Sequence, residues 1–290
     1  MVFLLPLATA RFAVAEMTST NYQIESDTLS TGGGDTGSSA SYKLRDTIGG
    51  MGADRSSSSS YALDTEYRGQ IYDRVATFDV FLQSGSSEVA VTGLSGTSIT
   101  VTSTTGYSEG DRVMLVQNKG ASQSVAIGTI ETVGGTIDVD FLSHSLTVDG
   151  SNDYLYRLDG SALAFGQLSR STVSTATVGW EVTADVDNGY QVLVYEDNDF
   201  SNGSSTIPDV TDGAVTAGVS EFGGRSTDND LAESTFDTED TALTQASQQV
   251  AYSSSGAFKD RNALTLKASY QTGQDSGSYS NTVNVIYVGS

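Results

Sequence analysis

The chain has 290 residues, with 36 Asp and Glu against 14 Lys and Arg, a formal net charge of -22 and no cysteine. That balance opposes nucleic acid and anionic bilayers, which are held by cationic side chains. The missing thiols exclude disulfides, thiolate metal centres, a thiol nucleophile and a lipoprotein anchor. A length beyond the roughly 100–150-residue mode of one domain predicts two domains and an appendage.

Residues 1–15, MVFLLPLATARFAVA, end in a small-x-small pattern at Ala13 and Ala15. This fits a secretory signal cut before Glu16, although no basic leader precedes it and Arg11 comes late. The other reading is a retained apolar strand. No later stretch reaches the ~18–20 apolar residues of a membrane helix. The expected location is outside the cell, at its surface.

From 16 to 70 the chain is rich in Ser, Thr, Gly, Asp and Tyr, and too poor in aliphatic residues to form a core alone. Three fragments echo one another, NYQIESDT, SYKLRDT and SYALDTE, each placing an aliphatic residue two positions after a tyrosine. In extended chain such pairs share a face, so Tyr22 and Ile24, Tyr42 and Leu44, and Tyr61 and Leu63 each make a small apolar stripe. The spacers STGGGDTGSSA and GGMGADRSSSS read as flexible coil. Two buried side chains contribute roughly 3–6 kcal/mol and ladder hydrogen bonds about 1 kcal/mol each. Ordering seven residues costs on the order of 7–14 kcal/mol. Such a fragment therefore settles only where a pre-formed sheet shares the cost. The alternative is a disordered stalk.

VATFDVFLQ, residues 75–83, begins the first firm strand, and short β-runs with turns between them fill 86–159. ETVGGTID reads as a hairpin in which Gly134 and Gly135 supply positive φ. GYSEGDRVMLV turns at Gly110 and Asp111 into an alternating strand and is similar to small SH3-like barrels, so this region is expected to be a small barrel or sandwich. From 160, SALAFGQLSRSTVSTATVGWEVTAD predicts two long alternating strands, and GYQVLVYED another after the Asp187-Asn188-Gly189 turn. QQVAYSSSG, NALTLKASY and GSYSNTVNVIYVGS follow. Trp180, Val182, Val192, Val194, Leu264, Leu266, Val283, Val285 and Tyr287 fall on period-2 faces, as a two-sheet core demands. No ten-residue stretch has a helical apolar period. The expectation is an all-β chain, an Ig-like or jelly-roll-type sandwich from 71–85 plus 160–290, with a small barrel at 86–159.

Residues 263–288, with Gly277, Tyr279, Asn281 and Thr282 in a Gly-x-Tyr-x-Asn-Thr hairpin before the last strand, resemble the ending of secreted bacterial β-sandwich proteins of the fimbrial, spore-coat-U and camelysin-like kind. The opening repeats are similar to those preceding Ig-like domains in secreted proteins. The resemblance implies a fibre, coat or adhesion role. Trp180 is not followed by the x-Leu of WxL wall-binding domains.

No catalytic constellation is found. His144 is the sole histidine and lies in FLSHSL, where it reads as a surface or turn residue rather than a base. Nucleophile-elbow, phosphate-cradle and HExxH patterns are absent from the sequence. Between 181 and 240 there are fifteen Asp or Glu and one basic residue, Arg225. Asp185 and Asp187, then Asp197 and Asp199, have spacings that suit a calcium loop, though neither pair continues to a glutamate at the twelfth position. Calcium is one reading and a solvated acidic surface the other.

These observations predict a structural subunit of an extracellular filament or surface layer and not an enzyme. Its partner is itself, through β-strand addition by the segment bearing Met17, Tyr22 and Ile24 across a joint at Gly32, Gly33 and Gly34. A monomeric surface adhesin or carbohydrate-binding module is the rival. Exposed aromatics at Tyr107, Tyr154 and Phe200 would favour it.

Overall fold

A computed structural model describes residues 76–186 and 188–289 throughout, together with short strands between 16 and 63. The chain divides into two compact units, Met1–Val75 and Ala76–Ser290. The signal-like segment at 1–15 lies outside the described residues.

In the first unit, β1 (Glu16–Ser19) and β2 (Tyr22–Glu25) form an antiparallel hairpin with Met17 opposite Ile24. β1 and β2 therefore pair with each other rather than forming one strand. β3 (Gly34–Ser38), β4 (Lys43–Asp46), β5 (Ser56–Ser57) and β6 (Ala62–Leu63) follow as a second small sheet in that order. This corrects the reading of the spacers as coil, since β3 and β5 come from them. Leu44 on β4 sits opposite Gly37 and Ser56, and Leu63 on β6 sits opposite Ser56. Small residues cost little when the chain doubles back, so the spacers serve as ladder partners for the repeat strands.

The second unit is all-β. β7 (Ala76–Leu82) leads through a 3₁₀ turn at Gly85–Ser87 into β8 (Val89–Ser95), β9 (Ser98–Val101), β10 (Arg112–Gln117), β11 (Ser124–Val133), β12 (Ile137–Val139) and β13 (Tyr154–Arg157). These last six close into a barrel in the order β10-β11-β12-β9-β8-β13. Closure leaves the small module without a free edge. Its interior is filled by Val91, Ile99, Val113, Leu115, Ile137 and Leu155, all 0–1 % exposed. The β11–β12 hairpin is where GGT was expected to turn, but Gly134 and Gly135 are not among the positive-φ glycines. The Gly134 N–H instead donates to Thr136 O at 2.9 Å, a wider three-residue turn that needs no left-handed residue.

β14 (Ser174–Ala184), β15 (Tyr190–Glu196), β16 (Glu221–Ser226), β17 (Gln248–Ser253), β18 (Ala257–Ser269) and β19 (Val283–Gly289) complete the unit. With β7 they form a four-stranded sheet, β16-β18-β14-β7, and a three-stranded sheet, β17-β15-β19, which share one core. Trp180, Tyr190, Val192, Val194, Phe222 and Leu264 are 0 % exposed in it.

Two expectations fail here. Of the two strands predicted from 160 on, only β14 forms, and residues 161–173 lie outside any strand. β16, EFGGRS, was not anticipated because glycine pairs disfavour strands. Close approach is the reason for one of these glycines: a Cβ on Gly223 would lie 2.6 Å from Val210 Cγ1.

The barrel packs on the outer face of the four-stranded sheet. Alternate residues of β10 divide the work, Val113 and Leu115 facing the barrel interior and Met114 and Val116 joining Ile127, Tyr156, Leu158 and Ala263 in a separate apolar layer. That double burial is why RVMLVQ reads as a continuous apolar run. The approach is tight enough that a Cβ on Gly179 would fall 2.5 Å from Ile127 Cδ1.

Ion pairs lock the same junction. The Arg261 guanidinium, its side chain 1 % exposed, donates to Asp140 at 2.8 and 2.6 Å and to Glu181 at 2.6 Å, and stacks over Phe141 at 4.0 Å. Arg112 from the barrel reaches the same Glu181 at 2.8 Å. Burial pushes the Asp140 carboxyl up, but hydrogen bonds from Arg261 and from the Thr129 and Phe141 N–H groups outweigh it and hold the pKa at about 2. Nearby, buried Lys267 donates to Asp240 at 2.6 Å and to the barrel carbonyl of Ala121 at 2.8 Å.

Candidate functional site

Each sheet of the sandwich ends in two edge strands, β16 and β7 in one and β17 and β19 in the other, and an apolar groove opens on the flank where β7 and β19 come together. Among the described residues β7 pairs only with β14 and β19 only with β15, so each presents a largely unpaired backbone edge, with Leu82 O of β7 accepting the Gly160 N–H. Val80 of β7 stands opposite Trp180, and Leu82 opposite Val178, so their side chains share the core-facing side of the sheet. Trp180 is 0 % exposed, whereas Val80 is 44 % exposed. On the other sheet, Val194 is 0 % exposed while its β19 partner Val285 is only partly buried. The core is thus uncovered along this seam.

A groove of about 1370 Å³ runs through it, with Val80, Leu82, Val178, Leu266, Val283 and Val285 on its apolar walls. Farther along, Phe78 stacks on Tyr287 at 5.7 Å and Tyr287 on Tyr190 at 6.0 Å, joining the two sheets. Residues 161–168 form part of the groove's wall without strand pairing.

One rim is the segment before β19, which carries the Gly-x-Tyr-x-Asn-Thr residues. Tyr279 Oη donates to Asp275 O at 2.8 Å, and its ring lies 6.0 Å from Phe200. A Cβ at Gly277 would stand 2.8 Å from Asn202 Nδ2. Asn281 Nδ2 donates to Glu196 Oε2 at 2.7 Å, and Thr282 O accepts the Asp197 N–H at 3.0 Å. Glu196 is 2 % exposed, and burial raises its carboxyl to about 7, with Asn281 opposing and Asp209 and Asp199 adding to the rise. Burial, then Asp199, likewise raises Asp209 to about 6. The rim therefore rests on carboxylates that resist ionisation.

Of the residues singled out in the sequence, Met17, Tyr22, Ile24, Leu44 and Leu63 sit on strands of the first unit, while Tyr42, Tyr61 and Asp187 lie outside the described residues. Asp185 follows β14; Asp197 and Asp199 follow β15, with Asp197 accepting from Asn284 at 2.9 Å. Among the described residues, no group of three His, Cys, Asp or Glu is placed to hold a metal ion. His144 is half-buried in a bend, with Nδ1 2.8 Å from Ser143 Oγ, which also accepts the Ile127 N–H at 3.0 Å.

The aromatics expected on exposed loops require correction. Tyr107 is 8 % exposed because its hydroxyl is drawn inward to Ser87 O and Leu155 O at 2.6 and 2.9 Å. Phe200 is 5 % exposed, stacked on Phe222 at 5.0 Å. Tyr154 belongs to β13 and is half-buried beneath Lys119, 5.2 Å away. The residues that frame the seam, Val80 and Leu163 and Phe165, drew no notice in the sequence because a strand's alternation does not say whether it lies at an edge.

Among the described residues no helix is long and apolar enough to cross a membrane. Neither family models, curated proteins nor solved structures contain a match to the chain. The likeness of its C-terminal residues to fimbrial and coat proteins accordingly stands on those residues alone.

Proposed function

We propose that the chain is a structural subunit of an extracellular filament or surface layer, built by strand addition between copies. The observation that carries this reading is the uncovered seam, with core-facing Val80 44 % exposed between two unpaired strand edges. An extended segment laid there gains ladder hydrogen bonds and apolar contact together. The N-terminal region supplies segments of the right size and apolar period, and an extended 25-residue stretch reaches up to roughly 80 Å. Of the aromatics whose exposure would favour the adhesin reading, Tyr107 and Phe200 are buried and Tyr154 is half-buried on β13.

Size-exclusion chromatography at rising concentration and electron micrographs of the full chain test the proposal. Multimers are expected, and deleting residues 16–35 should abolish them. Equal assembly by the deletion variant, or a full chain that remains monomeric, would overturn it.

A further inference from the structure

The seam is partly filled by the chain itself. The Gly160 N–H bonds to Leu82 O at 2.9 Å, and the following residues line the groove. Leu163, Phe165 and Leu168 pack against the core while Ala164, Gly166 and Gln167 remain exposed. Phe165 reaches Phe200 at 5.6 Å and Phe222 at 6.3 Å. From Leu163 to Phe165 this is the side-chain alternation of a strand, which the three-residue step to Leu168 then breaks. Yet among the described residues no backbone-to-backbone hydrogen bond involves 161–168. Gly166, at φ +68°, explains why: one left-handed residue between Phe165 and Leu168 breaks the extended path, so the segment cannot follow a neighbouring edge.

We infer that residues 161–168 are a resident plug, holding the place of a pairing strand with side chains alone and leaving it when an extended segment of a second copy enters. The inference rests on the strand-addition reading above. It commits to the segment around β2 as the occupant, which must part from β1 to enter: in extended chain Tyr22 and Ile24, two residues apart, share one face as Leu163 and Phe165 do, with the aromatic and aliphatic positions exchanged. The plug has the advantage of being tethered, which makes its local concentration high. The incoming strand has the advantage of ladder hydrogen bonds along β7 or β19, which the plug does not make. The plug lowers the fraction of subunits ready to accept a strand, and the apparent affinity falls by that fraction.

Hydrogen–deuterium exchange on the full chain, monomeric and multimeric, tests this. In multimers, amides of β7 or β19 should gain protection, and hydroxyl-radical footprinting should label Leu163 and Phe165 more heavily than in the monomer, since their side chains leave the core. The variant Leu163→Ser/Phe165→Ser, checked for retained β-structure by circular dichroism, should assemble at about tenfold lower concentration than the parent. The synthetic peptide SALAFGQL, added in excess, should bind that variant and reduce its assembled fraction. Multimers in which Leu163 and Phe165 are labelled no more than in the monomer would overturn the plug and leave strand addition standing. A folded double variant that assembles no more readily than the parent would also overturn it. A parent chain that never assembles overturns both readings.

Discussion

The two sides of β14 tell opposite stories with similar residues. Toward the barrel, its outer face is covered so closely that Gly179 has no room for a Cβ, and Glu181 is shared by Arg112 and Arg261. Toward β7, the core-facing row runs from Trp180 at 0 % exposure to Val80 at 44 % within one strand spacing. Apolar character is alike in both places, and only the neighbour differs. Stability is concentrated where a second module closes the sheet, and capacity for new contacts where nothing does.

Breaking the sealed side should have the largest effect. Arg261→Met leaves Asp140 without its counter-charge and Glu181 with Arg112 alone, and is expected to cost about 3–5 kcal/mol, read as a fall in the denaturant midpoint. Met114→Ala, in the apolar layer of the junction, should cost about 2–5 kcal/mol by the same measurement.

Acid should act through the same clasp. The folded pKa of Asp140 is held at about 2, below its ordinary 3.8, so its stabilisation is present above pH 4 and is lost as pH falls toward 2. Unfolding followed from pH 5 to pH 2 should show that loss in the parent and much less of it in Arg261→Met. Near the seam the sign reverses. Glu196 is raised from 4.5 to about 7, so folding is most favourable below pH 4.5 and weakens as pH rises through 7. Glu196→Gln should flatten the decline in Tm between pH 5 and pH 8, leaving the smaller part due to Asp209. The smallest effect belongs to the open edge: Val80→Ala should change stability by less than ~1 kcal/mol, since much of that side chain already meets water. A large loss there would mean the seam is closed in solution.

Strand existence was legible wherever alternation met β-branched residues, as in ATFDVFL, SVAIGTIETV and YQVLVYE. Alternation reports which side chains face inward, not whether the backbone finds a partner. SALAF alternates and turns Leu163 and Phe165 to the core, but Gly166 follows in the left-handed region and the segment makes no ladder. EFGGRS fails every propensity test and pairs fully with β18, because its neighbours require glycine there. The clasp was invisible for another reason: Arg261 and Asp140 lie 121 residues apart, and a basic residue on a strand ordinarily faces water. Nor did the seam show itself, because edge position is a property of the assembled sheet.

The barrel leaves and rejoins the sandwich at nearly one point. The Ser84 N–H bonds to Arg157 O at 3.0 Å, and β7 and β14, on either side of the insertion, are adjacent antiparallel strands. By chain path it is a detachable cassette, and a short turn in its place would still let β7 meet β14. By chemistry it is not, since excision would bare Arg261 and Lys267 on a sheet face with no counter-charge from Asp140 and no carbonyl from Ala121. A graft that swaps this cassette for another must carry an acidic, apolar-rimmed underside, or the host sheet will not tolerate it.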